Sequence, residues 1–278
     1  MRWYREHGRH HLPWRRTRDP YAVLVSEVML QQTQVDRVLP YYQRWLTRWP
    51  TIGALAAAPA SELIREWRGL GYNRRALNLH RAALAVSALG SGLPTNEREL
   101  KRLPGVGSYT AAAVCCFAGG ANVVVSDTNI ARVAVRVVCG EATVRDIDTT
   151  SVGAALIELL PARGGREHNL ALMDLGAMVC TARAPRCTIC PVRAMCAWRA
   201  AGFPTSDSAS RPAERFESTA RFARGRIVDA LRERPTSGAE LRRMFRRTHA
   251  ANLNSYLEGL VKDGLIVAVD DETWSLPG

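Results

Sequence analysis

The chain has 278 residues, with 38 Lys and Arg against 26 Asp and Glu, a formal charge of +12 and a pI near 10.0. That length can bury a sizeable core and supports more than one domain, and the positive balance suggests a polyanionic partner, nucleic acid before membrane. No apolar run of about 18 residues is present to span a membrane, the start Met1-Arg2-Trp3-Tyr4-Arg5 leads into no apolar signal segment, and a cytoplasmic location is expected.

Residues 1–20 are basic, aromatic and His-rich, with Trp3, Tyr4, His7, His10, His11, Trp14, Arg15 and Arg16. Asp19-Pro20 opens a helix, and apolar residues at helical spacing continue from Tyr21 to Val38. Glu27 lies within the apolar stretch Ser26-Glu27-Val28-Met29-Leu30. A carboxylate there is either solvated on the outer face or held in a pocket that raises its pKa. The following Gln31-Gln32-Thr33-Gln34 can donate and accept at once, which suits base edges and phosphates, or it is a polar helix end. Residues 40–90 read as three short helices. Gly69-Leu70-Gly71-Tyr72 closes one of them, and Tyr72 reads as an aromatic wedge beside phosphate-binding Arg74 and Arg75, or as a half-buried core residue.

In Leu103-Pro104-Gly105-Val106-Gly107-Ser108-Tyr109-Thr110 a Pro and two glycines turn into an Ala-rich helix. Gly105 and Gly107 allow positive φ and close backbone approach, and the helix start favours an anion such as a DNA phosphate. An ordinary helix-helix turn has the same form. Val123-Val124-Val125-Ser126-Asp127-Thr128-Asn129 ends an apolar run in Asp before Ile130 to Val138 resumes a helical pattern. Asp127 or Thr128 suits an N-cap, and an Asp at such a place can also face a cleft.

Residues 150–180 are helical and lead into Cys180, Cys187, Cys190 and Cys196, spaced C-x6-C-x2-C-x5-C. The seven cysteines of a reducing compartment are metal ligands or free thiols, and this cluster is a strong metal signal that leaves zinc and a [4Fe–4S] cube both open. Cys115, Cys116 and Cys139 read as buried thiols. Arg183, Arg186, Arg193 and Arg199 surround the cluster and suggest a second phosphate-binding surface. The polar stretch 201–218 reads as a linker. Beyond it, three helices (Arg224 to Arg234, Ala239 to Phe245, Asn252 to Asp263) and a two-stranded hairpin resemble a winged helix, whose Arg242, Arg243, Arg246 and Arg247 suit a phosphate backbone. Such modules also dock proteins.

Leu12-Pro13-Trp14, Ser26 to Val35, Gly69 to Tyr72, Leu103 to Thr110, Asp127 with Asn129, Met173 to Met178 and the four cysteines together resemble the helix-hairpin-helix DNA glycosylase superfamily (endonuclease III and MutY) over residues 3–200. Its adenine-DNA glycosylase branch is the most similar. The resemblance implies an all-α fold of two helical lobes with the active site in the cleft between them. It implies a glycosylase domain over 1–200 with a [4Fe–4S] loop at 180–196, a linker over 201–218 and a small winged-helix-like α+β domain over 219–278. It decides the cysteine loop in favour of iron and sulfur.

The implied roles fit N-glycosidic bond cleavage, for which two carboxylates are the usual solution. Glu27 would protonate the leaving base and Asp127 would stabilise the sugar cation, with Tyr109 and Asn129 positioning them. The target base must be flipped out of the duplex. Tyr72 would wedge into the gap, Gln31, Gln32 and Thr33 would contact the strand, and Gly105, Gly107 and Ser108 would grip the backbone. Trp14, Arg15, Val35 and Leu170 would line the base pocket. Lyase-competent members carry Lys in the hairpin where this chain has Ser108, so a monofunctional enzyme is expected. Its substrate would be duplex DNA carrying a mismatch or damaged base, most simply adenine opposite 8-oxoguanine or guanine. The protein would be a monomer, with the tail as a possible protein-docking surface. Two features depart from the branch: its usual C-terminal 8-oxoguanine-recognition domain is not recognisable, and Leu170 stands where adenine-specific members place Gln or Glu and thymine/uracil mismatch glycosylases place Leu. A thymine/uracil mismatch or modified-base glycosylase is therefore the alternative, and a non-catalytic iron–sulfur DNA-binding or redox-sensing protein a second one.

Overall fold

The computed structural model describes residues 1–90, 92–206, 214–245 and 247–278. It is mostly helical, with one small antiparallel sheet near the C-terminus. Contacts divide the chain into two compact units: Met1–Val23, Thr95–Lys101 and Val106–Arg211 form one, and Leu24–Pro94, Arg102–Gly105 and Pro212–Gly278 the other. Among the described residues no helix is long and apolar enough to cross a membrane.

The first unit is built on helices Ser108–Phe117, Thr128–Ala134, Thr149–Leu159 and Gly165–Met178, with a π turn at Val135–Cys139. The first of these is buried throughout from Thr110 to Phe117. That matches its run of small and apolar residues, which leaves no polar face for water. Asp148 caps Thr149–Leu159 by accepting from the Thr150 and Ser151 amides at 2.9 and 3.0 Å. Gly176 lets the Thr128 helix pass close to Gly165–Met178, since a Cβ there would stand 2.6 Å from the Cβ of Asn129. Val133, Val137, Leu175 and Val179 form a core between these helices, and Cys180, Cys190 and Cys196 pack against it.

Helix Pro20–Leu30 starts on Asp19, whose carboxylate accepts from the Tyr21 and Ala22 amides at 3.0 and 3.2 Å, and it carries the chain into the second unit. The helical pattern expected to run on to Val38 breaks at Leu30 and resumes at Val35. Gln32 takes a left-handed φ of 54°, and the carbonyls of Val28, Met29 and Gln31 bond to the Arg75 side chain. A long-range arginine thus satisfies the orphan acceptors of the helix end. Four helices, Val35–Arg48, Ile52–Ala56, Ala60–Glu66 and Arg74–Leu89, stand where three were expected. Trp45 packs edge-on against Trp49 and Trp67, with centroids 4.6 and 5.3 Å apart.

The C-terminal segment has helices Ala220–Glu233, Gly238–Arg243, Arg247–Ala251 and Leu253–Asp263. Its sheet has three strands, not two, in the order β1 (Thr236–Ser237), β3 (Thr273–Ser275), β2 (Val267–Ala268). The additional strand follows from a capping box. Ser237 accepts from the Glu240 amide while the Glu240 carboxylate accepts from the Ser237 amide, holding Thr236 extended opposite Trp274. Arg246 of the expected basic patch lies outside the described residues. Ile227, Leu231, Leu257 and Leu260 share a core with Ile64 and Leu77, so the segment is part of the second unit.

Two partly buried histidines give the fold a pH dependence. Burial pushes the imidazoles of His80 and His168 below their usual value. Below about pH 6.5 the unfolded chain takes up protons there that the folded chain refuses, so stability is present above that pH and is lost as pH falls through it. Thermal unfolding between about pH 7.5 and 5.5 is expected to show a falling Tm, and a His80→Gln/His168→Gln variant a smaller fall. An unchanged slope would contradict the assignment.

Candidate active site and cysteine loop

In the first unit Asp127 is the N-cap of helix Thr128–Ala134, where Oδ1 accepts from the Ile130 amide at 2.5 Å. The capping alternative is thus realised, and it leaves Oδ2 to accept from Asn129 Nδ2 at 3.2 Å. Asn129 Oδ1 in turn accepts from Arg132 Nη2 at 2.8 Å. Arg132 also donates to the carbonyls of Gly176 (2.7 Å) and Cys180 (2.9 Å). A bonded chain therefore runs from Asp127 through Asn129 and Arg132 to the first clustered cysteine. Burial draws the Arg132 guanidinium below its ordinary pKa, opposed by the negative charge of Cys180 and Asp127.

Leu170 is buried on helix Gly165–Met178, one residue after Asn169. Asn169 accepts from the Val125 amide at 3.2 Å and donates to the Val123 and Gly165 carbonyls at 3.0 and 2.8 Å. It pins the extended run that delivers Asp127, a role the sequence reading missed. The available signal was one amide at the start of the apolar run Leu170-Ala171-Leu172-Met173. Trp14 is buried. Arg15 donates to Asp174 Oδ1 at 3.0 Å and to the Leu170 carbonyl at 3.4 Å, while Arg9 reaches the same carboxylate at 2.6 Å. Arg15 is thereby a brace of the Leu170 helix, sharing the fully buried Asp174 with Arg9.

The glycine turn behaves as its residues suggest. Gly105 has φ +78°, and a Cβ there would meet the Cβ of Asn78 at 2.6 Å. Gly107 is the extended N-cap of helix Ser108–Phe117, so exposed Ser108 and half-buried Tyr109 occupy its first turn.

In the second unit Glu27 is 6% exposed within the buried stretch Tyr21–Met29, so of its two alternatives the buried one holds. Gln31 and Thr33 are half-buried and Gln32 is exposed, just past that helix, and half-buried Val35 starts the next one. Tyr72 is 38% exposed with φ +47°, a conformation rare for an aromatic residue. Arg75, read from sequence as a phosphate ligand, is buried. It donates to the carbonyls of Val28, Met29, Gln31, Leu70 and Gly71 at 2.7–3.0 Å and to Thr33 Oγ1 at 3.2 Å. It clamps the end of the Glu27 helix to the Gly69–Tyr72 turn, and burial pushes its guanidinium down to about 10. Arg74 is exposed and pairs with Asp263 at 3.3 Å.

Cys180, Cys187, Cys190 and Cys196 line one cavity of about 20 Å³, together with Val133, Leu175 and Trp198. Arg136 is buried behind it, donating to Cys180 Sγ at 3.4 Å and to the Thr181 carbonyl at 2.8 Å, with its guanidinium 4.5 Å from the Trp198 ring centroid. Burial pushes the Cys187 and Cys190 thiols up. Among the described residues no three His, Cys, Asp or Glu side chains meet as a single metal ion would require. Two of the surrounding arginines serve the loop itself, since Arg186 donates to the Met178 carbonyl and Arg193 to that of Thr188.

The glycine turn at a helix start, the buried glutamate and the helix-capping aspartate thus stand on a mostly helical scaffold. Residues 25–151 match the family model "HhH-GPD superfamily base excision DNA repair protein". Adenine DNA glycosylase of Mycolicibacterium smegmatis is 43% identical over 100% of this chain and 94% of its own length. The Homo sapiens adenine DNA glycosylase is 43% identical over 70% of this chain and 38% of its own length. Among solved structures, a thermostable thymine-DNA glycosylase is 31% identical with a TM-score of 0.62, covering 68% of this chain and 88% of that one. A non-covalent endonuclease III–DNA complex is 24% identical with a TM-score of 0.61, covering 72% and 92%. The chain belongs to the adenine DNA glycosylase family of the HhH-GPD superfamily.

Proposed function

We propose that this protein is a monofunctional glycosylase that removes adenine opposite 8-oxoguanine or guanine in duplex DNA. The full-length similarity to adenine DNA glycosylases carries this reading, and the environments of Glu27 and Asp127 supply its chemistry. Glu27, buried within its helix, is the acid that protonates the departing base. Asp127, oriented by its cap and by Asn129, stabilises the oxocarbenium-like sugar. Water then adds to the sugar carbon, giving an abasic site and free adenine. Tyr109 and Asn129 position these groups. Tyr72 fills the space left by the flipped nucleotide, Gln31, Gln32 and Thr33 contact the strand, and the turn at Gly105, Gly107 and Ser108 holds a backbone phosphate. Trp14, Arg15 and Leu170 shape the base pocket.

Cys180, Cys187, Cys190 and Cys196 are the ligands of a [4Fe–4S] cluster. They fit it because the four thiols line one enclosure. Bound by these four thiolates, the cluster would cross-link the loop after Cys180. The segment from Ala220 to the end is a winged-helix-like module.

A second reading, a thymine or uracil mismatch glycosylase, is favoured by Leu170, which offers a base no hydrogen bond, and by the likeness to the thymine-DNA glycosylase structure. Incubation with an A:8-oxoG duplex tests the main reading. Free adenine and an alkali-labile abasic site are expected, with no borohydride-trapped adduct. Strand cleavage without alkali, or efficient trapping, would contradict the absence of lyase chemistry.

A further inference from the structure

The C-terminal segment is joined to the turn that carries Tyr72. Buried Arg232 donates to the Ile64 carbonyl at 2.9 Å and to Asn73 Oδ1 at 2.9 Å, directly after Tyr72 in sequence. Arg65 donates to the Arg232 carbonyl at 3.3 Å, and the Ala60 amide to the carbonyl of Gly278 at 3.2 Å. The closest of these ties involves Tyr72 itself. Thr219 caps helix Ala220–Glu233 by accepting from the Phe222 amide at 3.2 Å, which puts Arg221 in the first turn. The Arg221 guanidinium lies 4.9 Å from the centroids of both Tyr72 and Phe216 and donates to the Tyr72 hydroxyl. The ring it holds is exposed and stands on a left-handed backbone, a posture that persists only where surroundings enforce it. The mycobacterial relatives match over the whole chain, tail included.

We propose that the C-terminal segment takes part in reading damaged duplex DNA, and that Arg221 is the positioning residue through which it does so, by holding the Tyr72 ring ready to enter the base stack. The proposal rests on the wedge role given to Tyr72 above. Arg221 acts through Tyr72 and not as a general phosphate ligand, so its effect belongs to lesion-containing duplex.

A double-mutant cycle with Arg221→Met and Tyr72→Ala in the full chain tests this. The readouts are affinity for A:8-oxoG and undamaged duplexes, and fluorescence of 2-aminopurine beside the lesion as a report of stacking. Arg221→Met is expected to weaken lesion binding about tenfold and to shift the 2-aminopurine signal, with little change on undamaged duplex. In the Tyr72→Ala background it is expected to add nothing, and Arg221→Lys is expected to recover part of the loss. Equal effects of Arg221→Met in both backgrounds, equal weakening on both duplexes, or no effect while Tyr72→Ala is defective would overturn the proposal alone. A silent Tyr72→Ala would overturn the wedge role and this inference with it. Thermal unfolding of each variant separates these outcomes from loss of the fold.

Discussion

Glu27→Gln is expected to lose base release by about a thousandfold while binding an A:8-oxoG duplex with near-native affinity. The substitution keeps the size of the side chain and removes only its proton-donating acidity. Asp127→Asn is the companion. Its amide oxygen can still accept from the Ile130 amide, so the cap and helix Thr128–Ala134 are expected to survive while the carboxylate proposed to stabilise the sugar cation is lost. Single-turnover release of adenine beside a gel-shift measurement separates chemistry from binding. On the mechanism proposed above, the double variant is expected to lose less than the product of the single losses. Glu27→Gln with native turnover would remove Glu27 from the chemistry.

Arg75→Met carries the largest expected cost in stability, about 3–5 kcal/mol. Five carbonyls and a hydroxyl lose their donor at once, and three of the carbonyls lie at the end of the Glu27 helix. A fall in Tm of about 10 °C is expected by thermal unfolding. Arg75→Lys should restore only a fraction, since one ammonium cannot span acceptors spread from Val28 to Gly71 in the way a planar guanidinium does. Lesion binding is expected to fall with stability, because the same clamp sets both Gln31 and Tyr72. An unchanged Tm in Arg75→Met would show that the clamp contributes nothing net.

These two sites also mark where sequence reasoning reaches its end. Helical periodicity placed the main helices, and the Gly-rich turn and Asp127 sit at helix starts as their residue types favour. Glu27 was visible as a carboxylate in apolar company, but whether it faced water depended on what packs over it. Arg75 was misread because an arginine beside a glycine turn has the same local pattern whether it meets a phosphate or five carbonyls of its own chain. The break at Gln31–Gln34 was legible as one of two alternatives, a polar helix end, but not its cause, since the partner that ends the helix lies 44 residues away. Asn169 and Arg132 act through long-range bonds to a loop and to Cys180, which no local spacing encodes. The capping box at Ser237 and Glu240 was legible and was overlooked, and with it the third strand.

Base choice is the central claim, and Leu170 makes it the most exposed one. The direct measurement is the identity of the base released from a set of duplexes containing A:8-oxoG, A:G, T:G, U:G and oxidised pyrimidines, under single-turnover conditions. Release of adenine from A:8-oxoG, then from A:G, with none from the pyrimidine substrates is the expected result. Release of thymine or uracil with adenine untouched would contradict it.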